Sequence, residues 1–208
     1  MKLRPTDALL VIDMQLDFLP GGTLAVKDGD AILPGITAVA ARFDHVILTQ
    51  DWHPRGHISF ASTHGRQPFT DTVRAAYGTQ TLWPDHCIQG TPGAALHPAL
   101  DIPHAELILR KGFRRSIDSY SAFTENDGDT PTGLAGYLRA RGLTRLFFTG
   151  LAYDFCVGFS ALAAARLGFE SLVVEDLSRA VALPGTVDKT NSAFTTANIQ
   201  RILTSDIT

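Results

Sequence analysis

Residues 146–157, Leu146-Phe147-Phe148-Thr149-Gly150-Leu151-Ala152-Tyr153-Asp154-Phe155-Cys156-Val157, decide the fold. Positions 146–149 form a short uninterrupted apolar run, as expected of a strand covered on both faces, and helical spacing over 155–167 follows at once, closed by Gly168. A buried strand turning directly into a helix is half of a βαβ unit. Working outward, similar apolar runs stand at 8–12, 46–49, 107–109 and 172–174, and helical spacing recurs at 31–42, at 133–141 before Gly142, and over about 192–203. This alternation predicts an α/β chain with three αβα layers around a mostly parallel sheet. Residues 51–103 break the pattern: they are crowded with Pro, Gly, His and Thr, and long irregular stretches inside compact folds usually carry function.

At 208 residues, 45% hydrophobic and 19% charged, the chain reads as a single domain spanning 1–208. A formal net charge of -3, without runs of like charge, supplies no broad field for nucleic acid or an anionic membrane, so the expected partner is a small molecule. No apolar run approaches the ~18 residues of a membrane span, and the first residues lack a secretory pattern, so the expected compartment is the cytoplasm. Two cysteines make a poor disulfide framework there; Cys87 and Cys156 read as free thiols or ligands.

In parallel sheets, ligands bind beyond the carboxyl ends of the strands. Three strand ends carry reactive groups: 9–12 leads into Asp13, 107–110 into Lys111, and 146–150 into the turn before Cys156. Taken singly, each has a bland reading, because strand-end Asp and Lys are common and buried Cys is usually an inert hydrophobe. Together they supply a base, a charge stabiliser and a nucleophile. Cys156 falls near the first turn of the expected 155–167 helix, where unpaired N–H groups favour the thiolate and can donate to an oxyanion. Cys87, in a Pro- and Gly-rich segment with no helix after it, reads as structural.

Asp51 and His53, two positions apart, share a face of an extended chain and can close on one ion. His86 from the long irregular segment is the third candidate ligand, leaving open positions as a catalytic site requires. An Asp/His/His set suits zinc, iron or manganese. His57 stands as a further ligand or a support behind the ligands, and Ser59 as a holder of metal-bound water; His45, His64, His97 and His104 read as ordinary surface residues.

The chain also resembles the nicotinamidases, within the isochorismatase-like cysteine hydrolases. The matching pieces are Ile12-Asp13-Met14-Gln15-Leu16-Asp17-Phe18 with Gly21-Gly22, then 50–60, then 82–94, Arg110-Lys111-Gly112, 118–123 and 150–157, in order across nearly the whole chain. That resemblance implies a six-stranded parallel sheet, an Asp13/Lys111/Cys156 triad, and one divalent metal on Asp51, His53 and His86, with zinc expected ahead of iron or manganese and no organic cofactor. It implies hydrolysis of nicotinamide to nicotinate and ammonia, with backbone N–H groups of Ala152 and Cys156 as the oxyanion hole. Phe18, Trp83 and Tyr120 match the aromatic positions between which a pyridine ring lies, and a cis peptide is implied at Leu151-Ala152. Tyr153 departs from the pattern, standing where many relatives carry Thr.

Two other readings compete. A related cysteine amidohydrolase acting on a carbamoyl or ureido compound would share fold and triad. A phosphoacceptor receiver domain also carries acids and a lysine at strand ends, as Asp13, Asp51 and Lys111 stand here, yet would need neither Cys156 nor His53 and His86. A symmetric homo-oligomer is compatible with a small hydrolase.

Overall fold

Runs of apolar residues too short for helices become the strands of a central sheet, and the stretches of helical spacing pack on its two faces. The computed structural model describes residues 1–208. Its strands are β1 (Asp7–Ile12), β2 (Val46–Asp51), β3 (Thr72–Ala75), β4 (Gly78–Thr81), β5 (Leu107–Lys111), β6 (Arg145–Leu151), β7 (Glu170–Arg179) and β8 (Gln200–Ile202). The helices are α1 (Leu33–Ala40), α2 (Ala61–His64), α3 (Leu134–Ala140), α4 (Gly158–Arg166) and α5 (Thr186–Thr196). Six strands pair in the order β5-β2-β1-β6-β7-β8, all parallel, and β3 and β4 form a separate antiparallel hairpin.

Side-chain alternation along the strands builds two cores. Leu9, Val11, Phe147 and Leu172 pack with Leu33, Ile36 and Val39 of α1 on one face. Leu10, Ile12, Leu146 and Phe148 pack on the other with Leu134 of α3, Ala161 of α4 and Phe194 of α5. These are the three expected layers. From the central pair β1 and β6 the chain leaves in opposite directions, toward β2 and toward β7, so a crevice opens at their carboxyl ends. Asp13 and Cys156 stand on either side of it.

Several local expectations are corrected. Residues 107–109 are not covered on both faces: β5 is an edge strand of alternating exposure, with Ile108 52% exposed. The helical pattern over 192–203 divides, because Asn198 takes a left-handed φ of 55° just after α5 and the chain then extends as β8 beside β7. Ile199 and Ile202 mimicked a helical stripe while serving a turn and a strand. The irregular 51–103 segment contains the β3–β4 hairpin, whose residues are mostly only partly buried and so left little pattern to read. Gly142 and Gly168 do close their helices, at φ 71° and 89°.

At the amino edge of the sheet, Arg145 and Asp7 form a buried pair. Arg145 Nε donates to Asp7 Oδ1 at 2.8 Å and Nη2 to Oδ2 at 2.5 Å, with side chains 2% and 1% exposed. Arg4 N–H caps the same carboxylate at 2.7 Å, and Arg145 Nη2 donates to Lys2 O at 3.0 Å, so the pair ties down the chain before β1. Removing one partner leaves a buried charge without compensation. Asp7→Ala is therefore expected to lose roughly 3–5 kcal/mol in urea unfolding while activity per folded molecule holds, and a loss under about 1 kcal/mol would show the pair to be behaving as an exposed one.

Candidate active site and metal centre

Register delivers the acids and the lysine to one edge. Asp51 pairs with Lys111 at the ends of β2 and β5, and Ile12 pairs with Gly150 where β1 and β6 finish. Gly150 has φ 106°, and a Cβ there would sit 2.2 Å from Ile12 O, so only glycine lets the two strands stay paired as β6 turns toward the nucleophile. The next turn is cis at Leu151-Ala152 and enters a single π-helical turn, Tyr153–Val157, before α4 begins. Cys156 lies inside that turn, not in an α-helical first turn.

Lys111 is the hub. Its Nζ lies 2.8 Å from Asp13 Oδ2, 2.5 Å from Asp51 Oδ1, 3.3 Å from Cys156 Sγ and 3.0 Å from Ser119 O. An oxygen of Asp13, one of Asp51 and the Cys156 sulfur all fall within 4.8 Å of one another. The three residues expected to act together are thus gathered into one buried cluster. Thr49 orients Asp13, its hydroxyl donating to Oδ1 at 2.5 Å and accepting from Asp13 N–H at 3.1 Å.

Burial is the largest influence on each of these groups, and for Asp51 and Lys111 neighbouring charges outweigh it. Desolvation raises the Asp13 pKa against the pull of Lys111, whereas for Asp51 the charges of Lys111 and His53 overcome desolvation and hold the carboxyl well below its ordinary range. Burial opposes the Lys111 charge, but the two carboxylates hold its pKa well above the ordinary value. Burial also pushes the Cys156 thiol well up, more strongly than Lys111 pulls it down, so the resting group is a thiol. This desolvation works against the thiolate-favouring N–H groups of the turn, and Asp13 lies beside the sulfur as the expected base.

Beside the hub stand Asp51, His53 and His86, with one ligand atom of each within 4.8 Å of the others. Asp51 Oδ2 is 3.4 Å from His53 Nε2 and 3.8 Å from His86 Nε2. His53 Nδ1–H donates to Gly112 O at 2.8 Å and His86 Nδ1–H to Pro84 O at 2.7 Å. Each ring is thereby fixed with Nε2 facing the carboxylate, the nitrogen whose lone pair becomes available to a cation when the ring gives up its proton. Two such nitrogens and an ionised carboxylate converging in a buried space are a donor set suited to a divalent cation. Gln15 fixes the third ligand: its amide donates to Asp51 O at 2.8 Å and accepts from Asp51 N–H at 2.8 Å.

His57 stands beside His53, and with His53 and Asp118 forms another group whose ligand atoms lie within 4.8 Å of one another. It stacks on His53 with centroids 4.2 Å apart, and both its nitrogens are engaged, Nδ1 with Ser59 Oγ at 2.7 Å and Nε2 with Ile117 O at 3.1 Å. Burial lowers its pKa to about 4, so the ring is neutral near pH 7. Ser59 spends its hydroxyl on His57.

A narrow cleft opens onto Cys156, Asp51 and His86. Phe18, Trp83 and Tyr120 line it as expected, together with Phe155, Asp118 and Val181, which the sequence did not single out. Asp118 lay within a recognised stretch; Val181 carries no motif. The rings of Trp83 and Tyr120 meet at 79° with centroids 6.3 Å apart, forming a corner instead of a parallel clamp. Tyr153 faces away from the cleft: its hydroxyl lies 2.6 Å from Asn191 Oδ1 and its ring packs on Phe194. Cys87 is sealed, at 0% exposure, with burial raising its pKa.

The isochorismatase domain matches residues 7–205. A nicotinamidase of Acinetobacter baylyi is 50% identical over 208 residues, all of this chain and 97% of that one. The structure of PnC1 from L. infantum in complex with nicotinate superposes with a TM-score of 0.88 at 40% identity, over 100% of this chain and 98% of that one. A pyrazinamidase of Pyrococcus horikoshii in complex with zinc gives 0.78 at 31% identity, over 96% and 99%.

Gly112, φ 63°, supplies the carbonyl that orients His53, and a Cβ there would lie 2.5 Å from His53 Cε1. Gly112→Ala is expected to turn the imidazole and cut divalent-metal affinity by about 10–100-fold, read by competition with a chromophoric chelator. Unchanged affinity would show that Gly112 does not hold the ring.

Proposed function

This chain belongs to the isochorismatase family, and from that premise we propose that it is an amidohydrolase converting nicotinamide to nicotinate and ammonia through a thioester on Cys156. The observation that carries this reading is the placement of the Cys156 sulfur 3.3 Å from a buried ammonium that also contacts both Asp13 and Asp51.

The residues divide the work as follows. The substrate ring enters the aromatic corner of Trp83 and Tyr120 opposite Phe18, with its carboxamide toward Cys156. Asp13, whose raised pKa makes it a competent proton acceptor and donor, takes the thiol proton, leaving a thiolate beside the Lys111 ammonium. Sulfur bonds to the carboxamide carbon, and the N–H groups of Ala152 and Cys156 receive the developing oxyanion; the Ala152 N–H makes no hydrogen bond within the protein. The C–N bond breaks as Asp13 returns its proton to the nitrogen, and ammonia departs. Water then attacks the thioester carbon with Asp13 again as base, the C–S bond breaks, the sulfur recovers a proton, and nicotinate leaves. Asp51, His53 and His86 would hold a divalent cation, zinc by our reading, which when bound supplies a Lewis acid for a ring-nitrogen lone pair.

Ammonia release from nicotinamide is the direct test. Cys156→Ala is expected to lower kcat by more than about 10³-fold with metal content by elemental analysis unchanged; wild-type turnover in that variant would exclude the thioester. Chelation and Asp51→Ala are expected to lower bound metal and activity together, with zinc add-back restoring the chelated wild type alone. Full activity after complete metal removal would separate the cation from the reaction.

A further inference from the structure

Tyr120 has open space on both sides. It lines the catalytic cleft and also a second cavity, between the β3–β4 hairpin and α4, that includes Tyr77, Asn126 and Phe159. Its ring packs edge-on against Trp83, Phe155 and Phe159, and hydrogen bonds converge on its hydroxyl. Gln80 on β4, 1% exposed, donates from Nε2 to the Tyr120 oxygen at 2.9 Å, and Trp83 Nε1 donates to the same oxygen at 2.9 Å. Gln80 Nε2 also lies 3.0 Å from Asp118 Oδ2 and 2.7 Å from Thr81 O, so its two hydrogens are shared among three acceptors, while Oε1 accepts from Tyr77 hydroxyl at 2.9 Å and from Asn126 Nδ2 at 3.3 Å. The orientation of this amide is determined by its neighbours. A carboxylate only accepts, so Nε2 faces Asp118, and Asn126 Oδ1 is committed to Tyr120 N–H at 2.9 Å, which turns Nδ2 to Gln80.

We propose that Gln80 is a positioning residue for substrate selection: by holding the Tyr120 hydroxyl against Trp83 it sets the aromatic corner for a flat heteroaromatic amide. The β3–β4 hairpin, remote from the main sheet, thereby acts on the catalytic cleft. This rests on the reading of the cleft as a pyridine-amide site. Because the ring contacts precede and outlast bond breaking, losing the lock weakens substrate and transition state alike, which raises KM and spares kcat.

Gln80→Met keeps the length of the side chain and removes all its hydrogen bonds. With nicotinamide as substrate, KM is expected to rise about fivefold to tenfold with kcat within about twofold, and selectivity for nicotinamide over the saturated, non-planar piperidine-3-carboxamide to fall. In a Tyr120→Phe background the same substitution should lose most of its effect on KM, since the hydroxyl it acts through is gone. Tyr77→Phe, which removes the outer bond to Gln80 together with the longer 3.3 Å bond from Asp118 N–H, should move KM in the same direction by a smaller factor, and serves alone if Gln80→Met fails to fold. An unchanged KM in Gln80→Met, or an equal change in both backgrounds, overturns the role of Gln80 while leaving the reaction standing. If Tyr77→Phe is the only folded variant, an unchanged KM there overturns it. No ammonia from nicotinamide with the wild-type protein overturns the functional reading and this one with it.

Discussion

One ammonium shared between two carboxylates and a thiol organises this active site. Lys111 is 1% exposed, and a charge so far from water persists only when paired and hydrogen-bonded. Its contacts with Asp13, Asp51, Cys156 and Ser119 O tie the ends of β1, β2 and β5 to the turn after β6. Two acids around one base cannot behave alike: Asp51, with His53 and Lys111 beside it, stays ionised, while Asp13, more dominated by desolvation, is held closer to protonation. Two carboxyl pKa values pushed apart suit one acid to a fixed anion and the other to carrying a proton, the division the proposed reaction uses.

The same ammonium couples the nucleophile to the cation site. Asp51 offers Oδ1 to Lys111 and Oδ2 to the side where His53 and His86 present Nε2. A shift of that carboxylate alters both halves at once, so its backbone is gripped on either side by Gln15. Asp13 and Asp51 are 0% and 4% exposed, and this burial is at odds with an acceptor aspartate that must meet a phosphodonor in solvent. Sealing strengthens every electrostatic contact within the cluster and leaves the cleft beside it as the way to the sulfur.

Legibility in the sequence followed burial and order along the chain. Residues 8–12 and 146–149 carried uninterrupted apolar runs because both of their faces are covered, and strand ends then located Asp13 and Cys156. Asp51 and His53 were visible through their two-residue spacing, and His86 through its place in a segment too irregular to be scaffold. The edge strands were harder. β5 alternates and β8 is three residues long, so their patterns blur into those of surface segments and helices. Gln80 and Val181 were invisible because their roles arise from what the fold lays beside them, and no local spacing encodes a hydrogen bond to a residue forty positions away. The desolvation of Cys156 was hidden for a related reason: the turn geometry could be read locally, but the burial that works against a thiolate comes from the whole cluster.

Chemistry and selection are placed on different kinds of structure. Asp13, Lys111 and Asp51 stand at or just beyond strand ends, where parallel pairing fixes their spacing, and Cys156 sits on the turn that β6 enters directly. Trp83 and Tyr120 sit on connecting segments, and Val181 just after β7 is held by Asp154, which accepts its N–H at 2.9 Å and that of Ala182 at 2.9 Å. Since Asp154 lies two residues before Cys156, the wall of the cleft is anchored to the nucleophile turn itself. Loop residues can be exchanged without disturbing the register that brings Asp13, Lys111 and Cys156 together, so one catalytic cluster can serve different amides. What limits such exchange is the anchoring: Gln80 and Asp154 each join a pocket-lining residue to another part of the site, so substrate range is set by these hydrogen bonds as well as by the side chains that touch the substrate.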